Sequence, residues 1–82
     1  MRLDKFLKVS RIIKRRTVAC QACDGNRVSV NGKTAKPAHI LKAGDLVEVR
    51  FGEKTLKFSV KSIDEKLARG DGSLLYDICG EA

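Results

Sequence analysis

The first sixteen residues hold Arg2, Lys5, Lys8, Arg11, Lys14, Arg15 and Arg16, with Asp4 as the one acid among them. Such side chains share one chemistry: they bind oxyanions, Arg through a planar fork and Lys as a point charge. A solvated helix face would intersperse acids, which relieve repulsion and add pairs at helical spacing. Ser10 to Thr17 carries no acid, although Ile12 and Ile13 sit among its bases. The counter-charge is therefore expected from outside the protein. Ser10, between Lys8 and Arg11, reads equally as a phosphate donor or as a helix-internal serine.

Other reactive residues form no comparable group. Cys20 and Cys23 make a CxxC, but a structural zinc site needs four ligands. Only Cys79 and His39 remain, and no spacing brings them together. Cys23 reads as a small core residue, and neither a metal nor a redox role is expected. His39 lacks a partner motif for general-base work and is expected on an exposed loop. No catalytic constellation and no cofactor motif is read.

The elements that must position the bases follow from periodicity. Leu3, Phe6 and Leu7 recur at helical spacing, and Ile12 or Ile13 can extend the stripe. On that wheel Lys5, Lys8, Arg11 and Arg15 fall beside the apolar face. Asp4 suits the positive first turn. Thr17 is expected to cap a second helix whose buried side is Val18, Ala19, Ala22 and Cys23, closed by Gly25 in the left-handed conformation. "RVSVNGK" alternates into Asn31-Gly32, a tight hairpin turn. "LVEVRF" (46–51), "LKFSVKSI" (56–63) and "LLYDI" (74–78) read as strands, with turns at 43–45 and 52–53 and a loop over 64–73. The fold class expected is α+β: two helices packed on a small antiparallel sheet.

Length and charge narrow the function. Eighty-two residues suffice for one domain and one small, mostly aliphatic core. The net charge is +7, and residues 1–36 hold ten of the seventeen bases against only two acids. That asymmetry is the footprint of a nucleic-acid face. No apolar run is long enough to span a bilayer, and no export signal is read. A cytoplasmic protein with reduced thiols is expected, without membrane contact. A basic amphipathic helix on lipid is the competing reading, disfavoured because the apolar stripe is needed for the core.

At this point "RLDKFLKVSRIIKRRTVACQACDGNRVSVNGKTAK" followed by "LKAGDLVEVRF" resembles the S-four RNA-binding domain, the αL motif. The resemblance covers residues 1 to about 51. Residues 52–82 would complete the sheet of a single domain, 1–82. It is strongest to the short stand-alone members, from a ribosome-associated quality-control branch and a heat-shock ribosome-recycling branch. A near-neutral second half without a long basic extension favours the first.

The resemblance implies a non-catalytic factor bound to large ribosomal subunits that still carry peptidyl-tRNA, contacting rRNA and tRNA. It would support tailing of the stuck chain by a partner protein, and a monomer is expected. Carried over by position, the RNA contacts would be Arg2, Lys5, Lys8, Ser10, Arg11, Lys14, Arg15, Arg16, Arg27 and Lys33. Asp4 would orient Arg2 or a neighbouring base. Many phosphate binders without an aromatic cluster suit structured RNA better than a single strand. The alternative is an RNA-binding subunit of an rRNA- or tRNA-modifying enzyme whose chemistry a partner supplies.

Overall fold

The computed structural model describes residues 1–64, 66 and 72–81. Two helices, α1 (Leu3–Val9) and α2 (Arg16–Asp24), precede strands β1 (Val28–Val30), β2 (Lys33–Thr34), β3 (Leu46–Phe51), β4 (Lys54–Val60) and β5 (Tyr76–Glu81). A 3-10 turn, Gly72–Leu75, leads into β5. The strands form one antiparallel sheet in the order β2-β1-β3-β4-β5. The expected α+β arrangement is what the structure has.

Helix α1 is shorter than its stripe suggests. Ser10 is its C-cap, and Arg11 takes φ +65, the left-handed position where glycine is the ordinary choice. The Arg11 N–H donates to the Lys8 carbonyl at 3.0 Å, and the Ile13 N–H turns back to Leu7 at 3.0 Å. That return buries Ile13 without continuing the helix. Arg11 and Arg15 therefore do not share a cylinder with Lys5 and Lys8, as the wheel predicted.

Helix α2 begins at Arg16 with Arg15 as its N-cap, which displaces Thr17 from that role. Its end also differs from expectation. Gly25 has φ −83, and Asn26, at φ +59, is the left-handed residue. Bonds from Asn26 to Cys23 (3.1 Å) and from Arg27 to Ala22 (2.9 Å) complete a two-bond C-terminal closure. At position 25 glycine avoids a tight approach, since a Cβ there would lie 3.2 Å from the Gln21 carbonyl oxygen. Ala19 and Cys23 are buried as expected and Ala22 packs against them, but Val18 is exposed.

The Asn31-Gly32 hairpin forms as read, with both residues at positive φ. Strand β4 starts two residues earlier than expected and ends at Val60. Leu74 and Leu75 belong to the 3-10 turn, not to the last strand. Leu75 is fully buried, and its carbonyl accepts from Lys61 at 2.8 Å, which explains the bend. Most of the loop expected over 64–73 lies outside the described residues.

One hydrophobic cluster joins Leu3, Phe6 and Leu7 of α1, Ala19 and Cys23 of α2, and Val28, Val30, Val47, Val49, Phe58 and Val60 of the sheet. The Phe6 and Phe58 rings stack at 6.0 Å. The start of α1 is closed by the loop before β3: Leu3 N–H donates to His39 and Asp4 N–H to Pro37, at 2.7 and 3.1 Å. This satisfies donors that a helix start otherwise leaves open. It also holds Asp4 inside the junction of α1 and α2.

Candidate nucleic-acid interface

Asp4 is 1% exposed, yet it is charged and fully partnered. Arg2 clasps it with both arms of its fork, Nε to Oδ1 at 3.2 Å and Nη2 to Oδ2 at 3.1 Å. Arg16, at the start of α2, approaches from the other helix, Nη2 to Oδ1 at 3.5 Å and Nε to Oδ2 at 3.4 Å. The Lys5 N–H donates to Oδ1 at 2.7 Å and the Cys20 thiol to Oδ2 at 3.2 Å. A buried carboxylate is tolerated when its lone pairs are filled in this way.

Burial pushes the Asp4 carboxyl up, but the Cys20 thiol, Arg16, the Lys5 N–H and Arg2 together outweigh it and hold the carboxyl below its ordinary value. The reciprocal effect raises Cys20, chiefly through its bond to Asp4. Burial pushes Cys23 up to about 11. Both thiols are thus kept protonated, the opposite of a reactive or metal-binding pair. Among the described residues no group of three His, Cys, Asp or Glu could hold a metal ion.

The arrangement has a chemical consequence. Two guanidiniums share one buried carboxylate, so they lie close together without full mutual repulsion and keep a net positive charge. Their side chains remain about half exposed, 48% for Arg2 and 47% for Arg16. Arg forks held by a buried acceptor lose little side-chain freedom when an oxyanion arrives. Asp4 is thus bonded to Arg2 and to a second base, Arg16.

The other bases are placed less uniformly. Lys8, Arg11, Lys14 and Arg15 are exposed at the end of α1 and in the connection to α2, and Lys5 is half-buried. Ser10 is not on the basic surface. It is 2% exposed and its hydroxyl donates to the Leu7 carbonyl at 3.3 Å, so it serves as the C-cap inside the helix pair. Arg27 is exposed just before β1, and Lys33 is exposed in β2. His39 is exposed, as expected of a loop residue.

Two participants were not singled out as contacts in the sequence. Cys20 braces Asp4 across sixteen residues, a contact created by the packing of α2 on α1. Arg50, exposed on β3, lies beside Arg27: its N–H donates to the Arg27 carbonyl at 2.9 Å.

Comparison with known proteins places the chain in a family with this fold. A family model described as the S4 domain matches residues 1–47. A Streptococcus pneumoniae protein named RQC P-site tRNA stabilizing factor is 49% identical over 99% of this chain and 92% of its own length. A Bacillus subtilis protein of the same name is 44% identical over 99% of this chain and 94% of its own. Heat shock protein 15 of Escherichia coli is 31% identical, with 62% of its length covered. Among solved structures, the trimeric structure of Vibrio cholerae Heat Shock Protein 15 superposes with a TM-score of 0.86 at 27% identity, covering 98% of this chain and 82% of that one.

Proposed function

The chain belongs to the S4 domain family, and from that premise we propose that it is a non-catalytic RNA-binding factor of ribosome-associated quality control. It binds stalled large ribosomal subunits that carry peptidyl-tRNA and stabilises the tRNA against ribosomal RNA. There it supports tailing of the stuck nascent chain by a partner protein. It acts in the cytoplasm, as a monomer, and without a cofactor.

The observation that carries this reading is the Arg2–Asp4–Arg16 cluster. A buried carboxylate presents two forked cations at one point of the surface, where a phosphate oxygen can take the hydrogen-bond capacity that Asp4 leaves open. Lys5, Lys8, Arg11, Lys14 and Arg15 extend the positive field along the helix pair. Structured RNA fits this surface, because A-form helices are recognised through shape and backbone.

The test is crosslinking in cells. After translation is stalled, the protein is irradiated in place and the attached RNA is sequenced. The expected reads are large-subunit rRNA and tRNA. Reads spread over messenger RNA, or none above background, would contradict the proposal.

A further inference from the structure

Of the four aromatic residues, Phe6 and Phe58 are buried and Tyr76 is half-buried, whereas Phe51 at the end of β3 is 43% exposed. It lines an apolar groove of about 400 Å³ together with Ile12, Ile13, Val18, Ala22 and Val49. Arg27 and Arg50 also line that groove, and the same two residues line an adjoining polar hollow of about 330 Å³ with Ser29, Thr34 and Glu48.

Val28 pairs with Val49, and one step further along Arg27, just before β1, meets Arg50 of β3, whose N–H donates to the Arg27 carbonyl at 2.9 Å. Like charges directly opposite across strands are destabilising. Glu48, the acid in the polar hollow, is paired with Lys57 at 3.7 Å, and among the described residues no carboxylate is paired with Arg27 or Arg50. An anion between the two guanidiniums would relieve their repulsion, and an apolar ring would cover Phe51.

We propose that Phe51, Arg27 and Arg50 form a nucleotide-binding cleft that takes one unstacked RNA nucleotide, its base in the apolar groove against Phe51 and its phosphate between the two arginines. The occupant is a nucleotide and not an apolar peptide, because the apolar wall and the paired cations adjoin one another and the groove itself has no acid in its lining. Base-on-aromatic stacking beside a cationic backbone track is how single-stranded segments are held. This rests on the RNA-binding reading above and gives that surface a second grip, separate from the Arg2–Asp4–Arg16 cluster.

The test is a nuclear magnetic resonance titration of the full chain with single-stranded hexaadenylate RNA, and separately with inorganic phosphate. With the RNA, the Ile12 and Val18 methyl signals and the Phe51 ring signals should shift. Phosphate alone should move the Arg27 and Arg50 side chains, besides those of Arg2 and Arg16, and leave the Ile12, Val18 and Phe51 signals in place. Phe51→Leu and Arg50→Gln should each weaken hexaadenylate binding about tenfold, since a stacked base commonly contributes that much or more. RNA-induced shifts confined to the Arg2 and Arg16 side would overturn the cleft, as would unchanged affinity in both variants. So would stronger shifts from an acidic peptide of alternating Glu and Phe. Wild-type protein that still co-sediments with large subunits in those cases would show that the cleft alone has failed.

Discussion

The Cys20 thiol donates to Asp4 Oδ2 at 3.2 Å, joining the second helix to the first turn of the first helix. Oδ2 also receives Arg2 Nη2 at 3.1 Å and faces Arg16 Nε at 3.4 Å. A neutral donor thus fills a position on a carboxylate that two cations share, and it fixes where that carboxylate points.

That contact makes Cys20 a positioning residue. Cys20→Ser keeps a donor and should bind large subunits nearly as wild type does. Cys20→Ala removes the donor and should cost about 0.5–1.5 kcal/mol of stability, with weaker subunit binding. Chemical denaturation and co-sedimentation of the two variants side by side check this; equal behaviour of Ser and Ala would leave the thiol without a role.

Asp4→Asn removes the charge that holds Arg2 and Arg16 together. The expected loss is about 1–3 kcal/mol of stability, the usual range for a disrupted buried polar group, and subunit binding should fall even where the protein is fully folded. The measurement is a denaturant melt paired with a binding assay. Undiminished binding by the folded variant would separate Asp4 from the interface.

The same carboxylate predicts an acid limb in stability. Its folded pKa lies below the ordinary 3.8, so its contribution is present above 3.8 and is lost as pH falls through the folded value. Asp45 shifts the same way, held down first by the Lys42 N–H and then by Asn31 against the opposing effect of burial, and adds to that window. Asp4→Asn should therefore flatten the acid limb only in part. A pH series of melts on both proteins reads the difference.

Arg11 occupies a left-handed backbone position that costs about 1–2 kcal/mol for a residue with a Cβ. Arg11→Gly should leave stability equal or higher by up to about 1 kcal/mol while weakening RNA binding. A change in which both fall together would assign Arg11 to the fold alone.

Much of the fold was legible because its signals are local. Asn31-Gly32 marks its hairpin by turn chemistry, and the alternation in 46–51 fixes which face of β3 is buried. The end of α1 was not legible, since an Ile pair after Ser10 continues a helical stripe on paper. Only the packing of Ile13 and the 3.0 Å return bond to Leu7 show that the chain turns there. That turn is also why Ser10 is enclosed and why Arg11 and Arg15 leave the wheel. The site was legible in composition and less so in geometry. The role of Asp4 beside Arg2 was what the family resemblance implied, whereas Cys20 and Arg50 enter through tertiary packing and strand pairing.

The central claim, that Arg16 on its Asp4 brace meets RNA backbone, is tested most directly by Arg16→Ala and co-sedimentation with large subunits from translation-arrested cells across a salt series. The wild type should bind with a steep salt dependence, the slope of log affinity reaching about −5 if six side chains meet phosphates. The variant should lose most binding while it is still fully folded at the assay temperature, with a melt lowered because Asp4 loses one of its partners. Wild-type binding by the variant, with the same salt slope, would contradict the account.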